Sequence, residues 1–75
     1  MRYGPIKRRD LVDGLKKFGY SDPIRPRKGS DHDFMVKGER RVKIPNEHRR
    51  QEIGVQLLSD ILKQAGINRD EWEQA

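Results

Sequence analysis

His32 and His48 belong to the one side-chain type whose ordinary pKa lies near neutrality, so acid-base chemistry at physiological pH passes through one of them. His32 stands in Gly29-Ser30-Asp31-His32-Asp33-Phe34, after a tight turn and at the start of an alternating segment. A histidine placed there can take the proton from a ribose 2′-hydroxyl, or give one to the departing 5′-oxygen, when that hydroxyl attacks the adjacent phosphate. This chemistry needs neither metal nor cofactor, because RNA carries its own nucleophile. Lys28, Lys37, Arg40, Arg41 and Lys43 lie near it in sequence and can neutralise charge developing on the phosphate. His48, in the polar run 46–51, is the second candidate. On residue types alone the simpler role for His32 is structural, as a strand-end side chain that caps the turn or packs beside Phe34.

Other chemistries find less support. Asp31 and Asp33 flank His32, but neighbouring strand residues point to opposite faces, so the three do not converge on a metal ion. Ser21 and Ser30 have no base and acid at a spacing that suits a triad, and no glycine-rich nucleotide signature is present. Zero cysteines exclude a disulfide scaffold, a zinc ribbon and a thiol nucleophile together, and make the cytoplasm the expected compartment. The longest apolar run, Phe34-Met35-Val36, is too short for a signal-peptide core or a membrane span.

The elements that must position His32 can be read from periodicity. Leu11, Val12, Leu15 and Phe18 form a helical stripe over residues 7–18, and Gly19 sits where a left-handed residue closes a helix. Ile24, between Pro23 and Pro26, reads as a short edge strand, since each proline lacks a ladder donor. Residues 31–37 alternate, with His32, Phe34 and Val36 on one parity and Asp33, Met35 and Lys37 on the other. A turn at Lys37-Gly38-Glu39-Arg40 then leads to Val42 and Ile44, with Arg41 and Lys43 opposite. Leu58, Ile61, Leu62 and Ala65 mark a second helix starting at Ile53 or Gly54 and stopped by Gly66. Asn68 and Glu71 have capping-box spacing, opening a short last helix that carries Trp72. The expected architecture is one α+β domain over residues 1–75: two layers, α-β-β-β-α, with a short extra C-terminal helix, and with one sheet face and one edge left open.

Charge divides along the chain. Residues 1–30 carry nine basic and three acidic groups, residues 31–50 six and four, and residues 51–75 two and five. The cationic first two-thirds makes nucleic acid the first partner class to test. The aromatics are scattered, so base stacking on the sheet has little support from sequence.

An opening helix over 9–18, the Gly29-Ser30-Asp31-His32-Asp33-Phe34 segment, Val42-Lys43-Ile44-Pro45 and Ile61-Leu62-Lys63-Gln64-Ala65-Gly66-Ile67 together resemble the HicA toxin family, also called YcfA-like, over residues 6–67. The resemblance implies a double-stranded-RNA-binding-like fold and a metal-independent endoribonuclease that cleaves messenger RNA. It also implies a HicB-like antitoxin as partner, with the toxin monomeric when free and hetero-oligomeric when held silent. The family's catalytic histidine maps to His32, with Gly29 and Ser30 shaping the turn before it. Many members place histidine directly after Gly-Ser, whereas Asp31 intervenes here. RNA contacts are expected from Lys28, Gly29, Ser30, Lys37, Arg40, Arg41 and Lys43. The alternative is a non-catalytic RNA-binding module in which His32 only caps a turn.

Overall fold

The structure is a computed structural model and describes residues 1–25, 32–45 and 52–75. Its first helix, α1 (Arg8–Lys17), fully buries Leu11 and Leu15, four residues apart, while Arg9, Asp13, Lys16 and Lys17 face solvent. It is one residue shorter at each end than its periodicity predicts, because Lys7 is extended and Phe18 has left the helix. Gly19, at φ +96°, reverses the chain, so that its N–H donates to the Lys16 carbonyl and the Tyr20 N–H donates to that of Leu15. That pattern satisfies the last carbonyls and folds Tyr20 back into the core beside Leu15.

Strands β1 (Asp33–Lys37) and β2 (Arg40–Ile44) form an antiparallel hairpin in which Met35 faces Val42 and Phe34 faces Lys43. Met35, Val42 and Ile44 are fully buried and make one face the core face. The other presents Phe34 and Val36, both half-buried, with Arg41 and Lys43 exposed. Pairing settles which parity of β1 turns inward: whatever lies opposite Val42 must share its face.

The expected third strand is reduced to an isolated bridge among the described residues. Ile24 and Phe34 exchange both backbone hydrogen bonds, at 2.8 and 3.0 Å, and the Ser21 N–H donates to the Val36 carbonyl. Pro23, just before Ile24, has no N–H to donate, which keeps this short segment at the sheet's edge.

Helix α2 (Val55–Ala65) buries Leu58, Ile61, Leu62 and Ala65 and packs on β2. Ile53 precedes it rather than joining it, exchanging backbone hydrogen bonds with Ile6, and both side chains are buried. Gly66 closes the helix in the left-handed region and Ile67 folds under it.

The last helix, α3 (Arg69–Gln74), opens with the expected capping box. The Glu71 N–H donates to Asn68 Oδ1 at 2.8 Å, and the Asn68 N–H donates to Glu71 Oε1 at 3.1 Å. The short helix is part of the core. Trp72 is fully buried, stacks on Phe18 with ring centroids 6.2 Å apart, and donates from Nε1 to the Arg2 carbonyl. Its ring lies directly against Gly14 of α1, where a Cβ would come within 2.2 Å of the Trp72 Cη2. α2 therefore lies on the two-stranded sheet while α3 locks against α1 through Trp72, an α+β fold in the order α-β-β-α-α.

Candidate functional site

His32 immediately precedes β1 and its side chain is exposed. The residue after it, Asp33, points to the core side of the hairpin, where Arg8 Nη2 meets Asp33 Oδ2 at 2.8 Å. The same guanidinium donates from Nε to the Pro45 carbonyl at 2.9 Å. Arg8, near the start of α1, thus ties together the beginning of β1 and the end of β2. Arg25 adds a second positive charge 3.7 Å from the other Asp33 oxygen. These two cations balance the Asp33 charge beside His32.

A groove of about 300 Å³ opens beside His32, between β2 and α2. Lys43, Ile44 and Pro45 form the strand wall. Leu57, Asp60, Ile61 and Gln64 form the helix wall, at positions that recur on one side of an α-helix. Its lining is mostly apolar, and Leu57 leaves 45% of its surface in solvent, high for a leucine in so small a protein. Among the described residues, Asp60 joins no ion pair, and no group of three His, Asp or Glu side chains stands ready to hold a metal ion.

The basic residues named from sequence divide. Lys43 shares the groove with His32. Arg41 lies on the open sheet face, its guanidinium 4.3 Å from the centre of the Phe34 ring. Lys37 and Arg40 sit at the hairpin turn, roughly 15 Å of strand away from His32. There Lys37 lies along Gly19 with its ammonium 6.0 Å from the Tyr20 ring centre, and Arg40 donates to the Gln64 carbonyl at the end of α2. Tyr20 itself donates to the Ala65 carbonyl at 2.8 Å; burial pushes its hydroxyl pKa up, against the opposing pull of Arg40. Lys28, Gly29, Ser30, Asp31 and His48 lie outside the described residues.

Sequence reasoning missed the helix wall of the groove. Leu57 and Asp60 are not singled out by the sequence reading, and Gln64 enters it only within the segment 61–67. Only the packing of α2 along β2 brings them toward His32. The role of Arg8 was hidden in the same way, since its partners are 25 and 37 residues distant.

None of the helices in the described residues is long and apolar enough to cross a membrane. Neither the curated proteins nor the solved structures contain a match to the chain. Residues 8–67, from the first residue of α1 to the apolar residue that closes α2, match the family model for the HicA toxin of bacterial toxin-antitoxin systems. Because that span takes in α1, the hairpin carrying His32 and all of α2, the chain belongs to the HicA toxin family.

Proposed function

We propose that this protein is a metal-independent endoribonuclease that cleaves messenger RNA in the cytoplasm, with His32 as general acid or base, and that a HicB-like antitoxin silences it. The observation that carries the reading is the pairing of an exposed histidine with Lys43 in one groove at the head of a hairpin. The 2′-oxygen loses its proton and bonds to phosphorus. The bond from phosphorus to the 5′-oxygen breaks, and that oxygen gains a proton. The products are a 2′,3′-cyclic phosphate and a 5′-hydroxyl, with no change of oxidation state. An imidazole can serve either proton transfer, and Lys43 offsets the charge on the phosphate between them.

The α-β-β-α core with the residual Ile24 bridge supports a double-stranded-RNA-binding-like fold. Among the basic residues, Lys43 and Arg41 serve RNA nearest the reacting phosphate, and Lys28, Gly29 and Ser30, which precede His32 in sequence, add further contacts. Lys37 and Arg40 contact RNA only if it runs the length of the hairpin. An acidic antitoxin suits the same surface, covering His32 and offering carboxylates to its cations, with the free toxin a monomer.

Induced expression of the native chain and of His32→Ala, with messenger integrity followed in the same cells, tests this reading. Growth arrest and messenger fragmentation by the native chain alone support it. Purified protein should then yield cyclic-phosphate ends that persist in a chelator. Equal toxicity of both chains sinks the role of His32. RNA bound intact by both identifies a non-catalytic binding module.

A further inference from the structure

The groove beside His32 has features that phosphate chemistry does not use. Its walls include Ile44, Leu57 and Ile61, and its rim carries a carboxylate, Asp60, and an amide, Gln64, one helical turn apart. Cations alone would suffice to hold a phosphodiester. A carboxylate facing the same groove as Lys43 works against that, and apolar walls contribute nothing to it. A nucleotide has a second part, a flat apolar ring with hydrogen-bonding edges, and this part fits those walls. The volume, about 300 Å³, stands at the lower end for ligand sites, in keeping with a single base and too small for a duplex.

We propose that the groove between β2 and α2 is a nucleobase subsite in which Asp60 selects bases that carry an exocyclic amino group. The proposal rests on the ribonuclease reading and adds to it a substrate class: single-stranded RNA with an unstacked base next to the cleaved bond. With the phosphate at His32 and Lys43, the adjoining base lies between Pro45 and Leu57 with its edge toward α2. A carboxylate only accepts hydrogen bonds. Cytosine, adenine and guanine offer it an amino donor, whereas the edge of uracil places a single N–H between two carbonyl oxygens that Asp60 repels. Gln64, able to donate and to accept, completes recognition of the edge without setting its sign. Leu57 is left exposed because its contact partner is the base.

Two measurements on five chains test the proposal. Cleavage of a random-sequence RNA, read by sequencing the cyclic-phosphate ends, is compared between the native chain and Asp60→Asn. Binding of short oligo(C), oligo(A) and oligo(U) is compared between His32→Ala and the double variant His32→Ala, Asp60→Asn. The native chain should disfavour uracil at one position flanking the cut by about fivefold, the low end for a single base-edge contact. Asp60→Asn should bring that ratio close to one, with the loss falling on amino-bearing bases and not on uracil. The binding series should show the same preference and the same loss, and Leu57→Ala should weaken all three oligonucleotides alike.

An unchanged base profile in Asp60→Asn overturns the proposal. So does a uniform loss of rate at every sequence, which would make Asp60 a positioning residue for His32. If the native chain cuts nothing but the binding preference is present and depends on Asp60, the subsite stands and the ribonuclease reading falls. If oligonucleotides bind without preference, or fail to bind while an acidic protein partner occupies the groove, the subsite falls whatever the activity.

Discussion

Arg8 and Asp33 meet at 2.8 Å with only 19% and 20% of their side chains exposed, and the same Arg8 holds the Pro45 carbonyl at 2.9 Å. This guanidinium fixes both ends of the hairpin next to His32. Arg8→Ala should destabilise the fold by about 1 to 3 kcal/mol, as expected for hydrogen bonds to a charged, partly buried group. Arg8→Lys should recover only part of the loss, since an ammonium lacks the planar fork that spans the two acceptors. Urea unfolding checks both. A lower midpoint at constant slope is the expected result, and an unchanged midpoint in Arg8→Ala would remove the clamp from the account of the site.

Much of the scaffold was legible in the sequence, because its signals are local. The Leu11 and Leu15 stripe, the glycines that close α1 and α2, the hairpin turn at Gly38 and the capping box at Asn68 all act within a few residues of themselves, and each stands where expected. What alternation left open was the inward face of β1, since Phe34 and Val36 are as apolar as Met35. Register with Val42 decided it. Proximity in sequence also misled about the site. Lys37 and Arg40 are closer to His32 along the chain than Lys43 is, yet the hairpin carries them away and brings Lys43 back.

Gly14 shows the same limit from the other side, since within a helix a glycine looks like a weakness of about 1 kcal/mol relative to alanine. Here the missing Cβ is the space that the Trp72 ring fills. Gly14→Ala should therefore lower stability despite its better helix propensity. Displacing the indole costs about 1 to 3 kcal/mol in overpacking. Thermal unfolding should show a fall of several degrees, at roughly 4 to 8 °C per kcal/mol for a domain this small. A rise in Tm would mean that α3 shifts at no cost and that Trp72 is not locked against α1.

Tyr20 gives the fold a dependence on alkaline pH. Burial holds its hydroxyl pKa above the ordinary value of 10.0, with Arg40 opposing, and the hydroxyl donates to the Ala65 carbonyl at 2.8 Å. The unfolded chain releases this proton at about pH 10, before the folded chain does. Above that point the unfolded state binds fewer protons, so stability falls as pH rises. The contribution is complete below about pH 10 and disappears as pH climbs through the folded value. Tyr20→Phe should be less stable than the native chain near neutrality by about 1 kcal/mol, for the lost hydrogen bond. The gap should narrow above pH 10. Parallel stability curves across that range would show that the phenol ionises alike in both states.

Lys43, Lys37 and Arg40 are equal candidates by residue type and unequal ones by position. Lys43 shares the groove with His32, whereas Lys37 lies against Gly19 and Tyr20, and Arg40 satisfies a carbonyl at the end of α2. Lys43→Ala should therefore lower RNA cleavage by about 10²-fold, the low end for removing one group that stabilises the transition state. It should leave the unfolding midpoint in place, because the side chain is exposed and its loss opens no cavity. Arg40→Ala should do the reverse, costing a few tenths to about 1 kcal/mol at the α2 terminus with little change in rate. Lys37→Ala should weaken RNA binding modestly and flatten its salt dependence, without a specific loss in the chemical step. Single-turnover cleavage, set beside urea unfolding of the same three variants, separates these outcomes. If Lys37→Ala slowed cleavage as much as Lys43→Ala, the reacting phosphate would lie along the hairpin rather than in the groove beside His32.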